Sequence, residues 1–282
     1  MKLILGDNQF FGINHFDIQK GERTKELFNS DVSIIEFIHQ SIEIGLDGFM
    51  INSNETGYRI IENISDSVFC EVHYSIPYPH KFATIVNENG MFELLRYLVK
   101  RSSPKRLFLA LPLFLSSFDL KRIVPLIVDL ELPKNLPKGS HVYLQNIVTD
   151  LLIGIKRFDL IEAFCKSVIK MGYKPGLITL NPTLLDKALE SLNRNFQSDL
   201  IVCFNINNSG FNVFPSKEEV ESLIFKNSIY KKMGMSVLAS GGTTNFQDAL
   251  NYIKKLPLDY VVFGSSRIGN VRSNYNYFKS RH

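Results

Sequence analysis

The sequence predicts an α/β fold, a (β/α)₈ barrel, and three observations lead there. Short, nearly unbroken runs of aliphatic and β-branched residues alternate with amphipathic helical stretches along the chain. Strands of a parallel sheet are covered on both faces, so they read as continuous apolar runs rather than as alternating ones. Eight such runs can be counted, the number that closes a barrel. The length of 282 residues, 45% hydrophobic and 21% charged, suits a packed domain of ~250 residues with one insertion. The expected organisation is therefore one barrel domain over 1–282.

The first run is Leu3-Ile4-Leu5, closed by Gly6-Asp7-Asn8. A helix follows, with Ser30 or Asp31 as N-cap and Ile34, Ile35, Ile38 and Ile42 on its inner face. The second run is Gly48–Asn52, with a helix around Tyr58 to Asn63, and the third is Val68–Ile76, ended by Pro77 and Pro79. The later runs are His141–Asn146, Gly176–Asn181, Leu200–Asn205, Ser236–Ala239 and Tyr260–Phe263, with helical patterns near 157–171, 182–193, 217–233 and 246–255. Strands alternating with helices of this length imply βαβ units.

Residues 104–138 fall outside this period. They hold Leu107 to Leu111, which has the look of a ninth strand, and the apolar stretch Ile123 to Leu132. The expectation is a hydrophobic helical insertion after the third βα unit. The competing register makes 106–111 the fourth strand. Apolar residues here are edged by Arg101, Lys105, Arg106, Lys121 and Arg122, which suits a homo-oligomer interface, a lid, or a helix packed on the barrel wall.

Composition excludes several classes. Lys and Arg exceed Asp and Glu by four, 32 against 28, with no basic run interleaved with aromatics, so nucleic acid is not the expected partner. No stretch approaches the ~18 apolar residues of a membrane span. Cys70, Cys165 and Cys203 lie far apart in apolar surroundings and suit buried, reduced thiols in a cytoplasmic protein. The first residues, Met1 to Asp7, run straight into a strand pattern, and no signal peptide is expected.

The sharpest chemical feature is a pair of glycine turns. Val237 to Thr244 contains Ser240-Gly241-Gly242, and one helix later Val261 to Arg267 contains Phe263-Gly264-Ser265-Ser266. Glycine after a strand lets the backbone approach a ligand, and the N–H groups opening the next helix face an anion. This pair resembles the phosphate-gripping ends of the phosphate-binding TIM-barrel superfamily, over roughly the last 50 residues. The resemblance implies phosphate contacts at Gly241, Gly242, Gly264 and Ser265, with Arg267 adding charge. The N-terminal region, Leu5 to Gly12 and then Gly45 to Asn52, is similar to the opening of aldo/keto reductases. That family's acid and tyrosine positions hold Asn52 and Thr56 here, so the likeness implies barrel architecture rather than the chemistry.

Alternation along the third run puts Glu71, His73 and Ser75 on one face. A carboxylate and an imidazole on an inward face can act as general acid and base, with Asp7 at the end of the first strand as a second carboxylate. The competing reading is a self-satisfying buried pair. His15 and His80, in neighbouring loops, would join them in a divalent-metal site only without the support of any ligand spacing, and no metal is expected. Amide side chains recur at strand ends: Asn52, Asn54, Gln145, Asn146, Asn181, Asn205 and Asn207. Singly they are turn residues, and together they suit a ligand rich in hydroxyl groups. Asn52, Gln145, Asn181 and Asn205 are the expected binders. No run carries a lysine placed for a Schiff base.

The reading that results is an enzyme acting on a phosphorylated, polyhydroxylated small metabolite by proton transfer, of isomerase or lyase type. His73, Glu71 and Asp7 would carry the chemistry, and no cofactor is required. The alternatives are an oxidoreductase holding FMN or a nicotinamide cofactor through the same phosphate site, and a binding protein without catalysis.

Overall fold

A computed structural model describes residues 1–13, 18–64, 70–77, 119–192, 194–239 and 245–280, together with Gly90, Glu93 and Arg96. Eight parallel strands close into a barrel in the order β1 to β8. They are β1 (Lys2–Leu5), β2 (Gly48–Asn52), β3 (Glu71–Ile76), β4 (His141–Leu144), β5 (Lys174–Thr179), β6 (Ile201–Asn205), β7 (Lys231–Met235) and β8 (Tyr260–Phe263). The ring closes where Leu3 and Leu5 of β1 pair with Val261 and Phe263 of β8. The expected α/β barrel is the observed fold.

Ten α-helices surround it among the described residues: α1 (Ile18–Leu27), α2 (Asp31–Ile44), α3 (Glu55–Asn63), α4 (Val124–Glu131), α5 (Asn146–Gly154), α6 (Phe158–Lys170), α7 (Pro182–Glu190), α8 (Lys217–Phe225), α9 (Phe246–Lys254) and α10 (Ile268–Lys279). Five of them, α2, α3, α7, α8 and α9, start at short polar side chains that accept orphan N–H groups of the first turn. Ser30 caps α2 through Ser33 N at 3.2 Å, Asn54 caps α3 through Gly57 N at 2.7 Å, and Ser216 caps α8 through Glu219 N at 3.2 Å. None of the described helices is long and apolar enough to cross a membrane.

Strand parity divides the core in two. Leu3, Leu5, Phe49, Ile51, Val72, Tyr74, Val142, Leu144, Val202, Phe204, Val261 and Phe263 belong to the large cluster packed under the helices. Their neighbours of opposite parity, Ile4, Tyr143, Ile178, Ile201, Cys203, Met233, Tyr260 and Val262, form a second cluster. These come from β1 and from β4 to β8 and share the parity that faces the barrel interior. Cys203 lies in that interior, Cys165 is buried behind helix α6, Cys70 is half-buried, and all three thiols are free.

The largest departures from the sequence reading are at three boundaries. The seventh strand is Lys231–Met235, not Ser236–Ala239, and the helix before it stops at Phe225 rather than 233. Ser236 and Ala239 instead have φ of 55° and 44°, a turn that no strand can hold. Two lysines disguised the strand. Lys232 is buried, yet its ammonium stays solvated by protein, donating to the Ile224 carbonyl at 2.8 Å and to that of Lys226 at the end of α8. The third strand begins at Glu71, so Glu71 is its first residue. The pairing of His73 with His141 makes β4 the direct neighbour of β3, which removes the register with 106–111 as fourth strand. The apolar stretch from Ile123 is helix α4, as expected, whereas 107–115 lies outside the described residues.

Tyr143 fills the centre of the barrel because its neighbour across the β4–β5 pair is Gly176. A Cβ on Gly176 would lie on the Tyr143 ring. Gly176→Ala should cost about 1–3 kcal/mol through overpacking, read from urea denaturation. A neutral result would mean that Tyr143 has room to move.

Candidate functional site

The C-terminal ends of β1 to β4 bring four polar side chains into one chain of hydrogen bonds. Asp7 stands two residues beyond β1 and opens a single 3₁₀ turn, Asn8–Phe11. Its Oδ2 accepts from the Asn52 backbone N at 2.8 Å and from Asn52 Nδ2 at 2.7 Å. Asn52 Oδ1 in turn accepts from Ser75 Oγ and from Gln145 Nε2, each at 2.5 Å. Asn52 and Ser75 pair directly across β2 and β3, which sets them at one height in the barrel. A carboxylate needs donors and the other two need acceptors, so only one orientation of the Asn52 amide satisfies all its partners.

Asp7 is buried, and burial pushes its carboxyl up to about 6 even though Asn52 donates to the charged form twice. Desolvation of the charge outweighs the two bonds. A carboxyl that titrates close to neutrality exchanges a proton in either direction at small cost. Beside it Gln9 donates through Nε2 to the Gly6 carbonyl at 2.5 Å, while its buried Oε1 has no hydrogen bond among the described residues. That oxygen faces Gly264 after β8, where a Cβ would stand only 2.7 Å away. Gly264 therefore makes room for the Gln9 amide, a role its sequence position did not reveal.

The other expected binders have local duties. Asn181 caps α7, accepting from Leu184 N at 3.1 Å. Asn205 donates to the Asn212 carbonyl at 2.8 Å and Asn207 to that of Phe211 at 2.9 Å, so both shape the loop after β6. Ser265 Oγ accepts from Arg267 N at 3.3 Å and donates to the Arg267 carbonyl at 3.1 Å, forming the turn into α10. Arg267 and Gly264 are exposed there. Gly241, Gly242, His15 and His80 lie outside the described residues.

Glu71 and His73 stand at the other end. Glu71 opens β3 and His73 follows two residues on, whereas Asp7 is level with Ser75. At ~3.3 Å per residue, Glu71 lies about 13 Å below Ser75 along the strand. The barrel thus sets Glu71 well below the level of Asp7, with His73 between them, about 7 Å below Ser75. Parity put Glu71 and His73 on one shared face, which the barrel turns inward, but it carries no information on height.

At this foot the residues form a compact cluster. His73 and His141 stack with centroids 4.7 Å apart and planes 13° from parallel, and Tyr260 meets both rings edge-on. His73 Nδ1 lies 2.8 Å from Tyr143 Oη. Lys2 pairs with Glu71 Oε1. Burial pushes Glu71 upward, but His73 and Lys2 beside it prevail and hold its carboxyl at about 2. Burial lowers both imidazoles, His141 to about 3 with His73 adding to the effect. The sequence reading missed His141, although its place at the head of the fourth run, two before Tyr143, was a usable signal. It also missed Gln9, a polar residue after the first strand that only the fold turns toward β8.

No family model matches the sequence, and no curated protein matches it. Solved structures do match. A proposed aldo-keto reductase from Pseudomonas aeruginosa is similar over 98% of this chain and 88% of that one, with a TM-score of 0.52 and 10% sequence identity. At that identity the likeness is one of barrel fold.

Asp7 makes a pH-dependent contribution of known sign. Its carboxyl is raised from 3.8 to about 6 on folding, so the folded chain holds this proton more tightly than the unfolded chain. Stability from this group is complete below about pH 4 and declines as pH rises toward 6. Asp7→Asn should therefore stabilise the protein at pH 7 by about 1–3 kcal/mol, with the gain shrinking near pH 4. Urea denaturation at the two pH values checks this, and an equal effect at both would show that the carboxyl is not desolvated.

Proposed function

We propose that the chain is an enzyme whose chemistry lies at the C-terminal mouth of the barrel, where Asp7 transfers a proton on a phosphorylated, hydroxyl-rich small molecule. The observation that carries this reading is the Asp7–Asn52–Ser75–Gln145 chain around a carboxyl that burial raises to about 6. Barrel enzymes place their chemistry at this end. Proton transfer beside a carbonyl, as in an isomerase or lyase, asks for such a group. Asn52, Ser75 and Gln145 orient Asp7, and Gln9 offers a buried acceptor to a ligand hydroxyl. The strand lysines Lys2, Lys174 and Lys231 stand at the opposite end, and Lys232 faces α8. A lysine imine is therefore no part of the proposal.

The phosphate is assigned to the start of α10. Arg267 is the N-cap residue of that helix and makes no side-chain capping bond, so the N–H groups of Ile268 and Gly269 remain for an anion. Ser265 and Gly264 border the same turn, and Gly241 and Gly242 complete the site in this proposal.

The test is a thermal-shift screen with sugar phosphates beside the same sugars unphosphorylated. A ligand at a hundred times its Kd stabilises the fold by ~2.7 kcal/mol. The phosphorylated series should shift the transition more, and Arg267→Ala should remove most of that difference. Solvent deuterium should enter the bound ligand with the native protein, and at least about a hundredfold more slowly with Asp7→Asn, while binding persists. If no phosphorylated compound shifts the transition, the phosphate reading fails. Undiminished exchange in Asp7→Asn would remove Asp7 from the chemistry.

A further inference from the structure

We propose that Glu71, His73 and His141 bind a divalent transition-metal ion at the foot of the barrel, of the kind that prefers imidazole nitrogen, such as zinc. One atom from each, a carboxylate oxygen and two ring nitrogens, lies within 4.8 Å of the others. Glu71 Oε2, His73 Nε2 and His141 Nδ1 are all buried, and none has a hydrogen bond among the described residues. Both observations fall on the same three residues, and buried polar atoms without partners are costly unless something binds them.

Hydrogen bonding on the far side of the His73 ring sharpens the case. Tyr143 Oη donates toward Met233 Sδ at 4.0 Å and lies 2.8 Å from His73 Nδ1. With the tyrosine O–H turned to the sulfur, Nδ1–H can donate to Oη, and the Nε2 lone pair is then free for an ion. A metal-bound histidine is held in the same way, its other nitrogen donating to an outer partner. Nε2 then looks at Glu71 Oε2 across 3.4 Å without the alignment of a hydrogen bond. Tetrahedral zinc with bonds of ~2.0–2.1 Å sets its ligand atoms roughly 3.4 Å apart.

Local charge selects the class of ion. Lys2 neutralises Glu71 through Oε1, and Lys174 and Lys231 add positive charge near the rings. A hard cation held by charge alone, such as magnesium, is disfavoured most, because it lacks the gain that a borderline ion draws from imidazole nitrogen. Glu71 is partly exposed and provides the access route. The site clamps β3 to β4 at the end of the barrel associated with stability rather than chemistry, so it is independent of the function proposed above.

The experiment is metal titration of chelator-treated, refiltered native protein, with bound ion counted by elemental analysis and stability followed by thermal shift. One zinc per chain and a raised transition are expected, with no shift from magnesium. Cobalt should give visible absorption bands of a nitrogen-coordinated ion. Glu71→Gln, at a partly exposed position, and His141→Asn should each weaken zinc by more than ~100-fold, and Tyr143→Phe by ~10–100-fold. If a histidine variant does not fold, Glu71→Gln alone decides. Absence of bound zinc in the native protein overturns the proposal, and so does zinc binding that survives Glu71→Gln unchanged.

Discussion

Closing eight parallel strands into a ring leaves an interior only wide enough for side chains, and that constraint governs everything else in this protein. Each inward residue competes for the same narrow volume, so Tyr143 at the centre needs a glycine, Gly176, beside it. Aliphatic and sulfur-containing side chains fill the middle. Polar inward residues are displaced to the two ends, where water or one another can satisfy them. The barrel thus has a polar mouth and a polar foot separated by an apolar plug.

The two ends solve the problem of buried polarity differently. At the mouth, Asp7, Asn52, Ser75 and Gln145 satisfy one another in a single directional chain. The carboxyl is spared the full cost of desolvation but is left close to neutral pH. At the foot, Lys2 compensates one oxygen of Glu71, yet the second oxygen and two imidazole nitrogens face one another without donors between them. The mouth is a finished network around a group that can move a proton. The foot is a set of polar groups that the proposed metal ion would share.

Glycine plays an analogous part at both levels. Gly176 admits an aromatic ring, and Gly264 admits the amide of Gln9 beneath the turn into α10. In each case the absent side chain is explained by a neighbour from another strand, at a distance in sequence that no local pattern spans. The same holds for Asn181, Asn205 and Asn207, whose amides serve a helix cap and a loop. A rim of amides looks alike in sequence whether it binds a ligand or its own backbone.

The sequence by itself determined the fold class, the approximate place of seven of the eight strands, a cap at Ser30 or Asp31 and the shared face of Glu71, His73 and Ser75. These rest on period and local hydrogen bonding, which are properties of neighbouring residues. Strand seven escaped because Lys231 and Lys232 read as polar surface, and only the packing of α8 supplies the carbonyls that let Lys232 be buried. Height in the barrel, and with it the separation of Asp7 from Glu71 and His73, was decided by the tertiary structure alone. So was the meeting of His73 with His141. Alternation specifies which side of a strand a residue faces, but register between strands, set by closure of the whole ring, specifies which residues share a level.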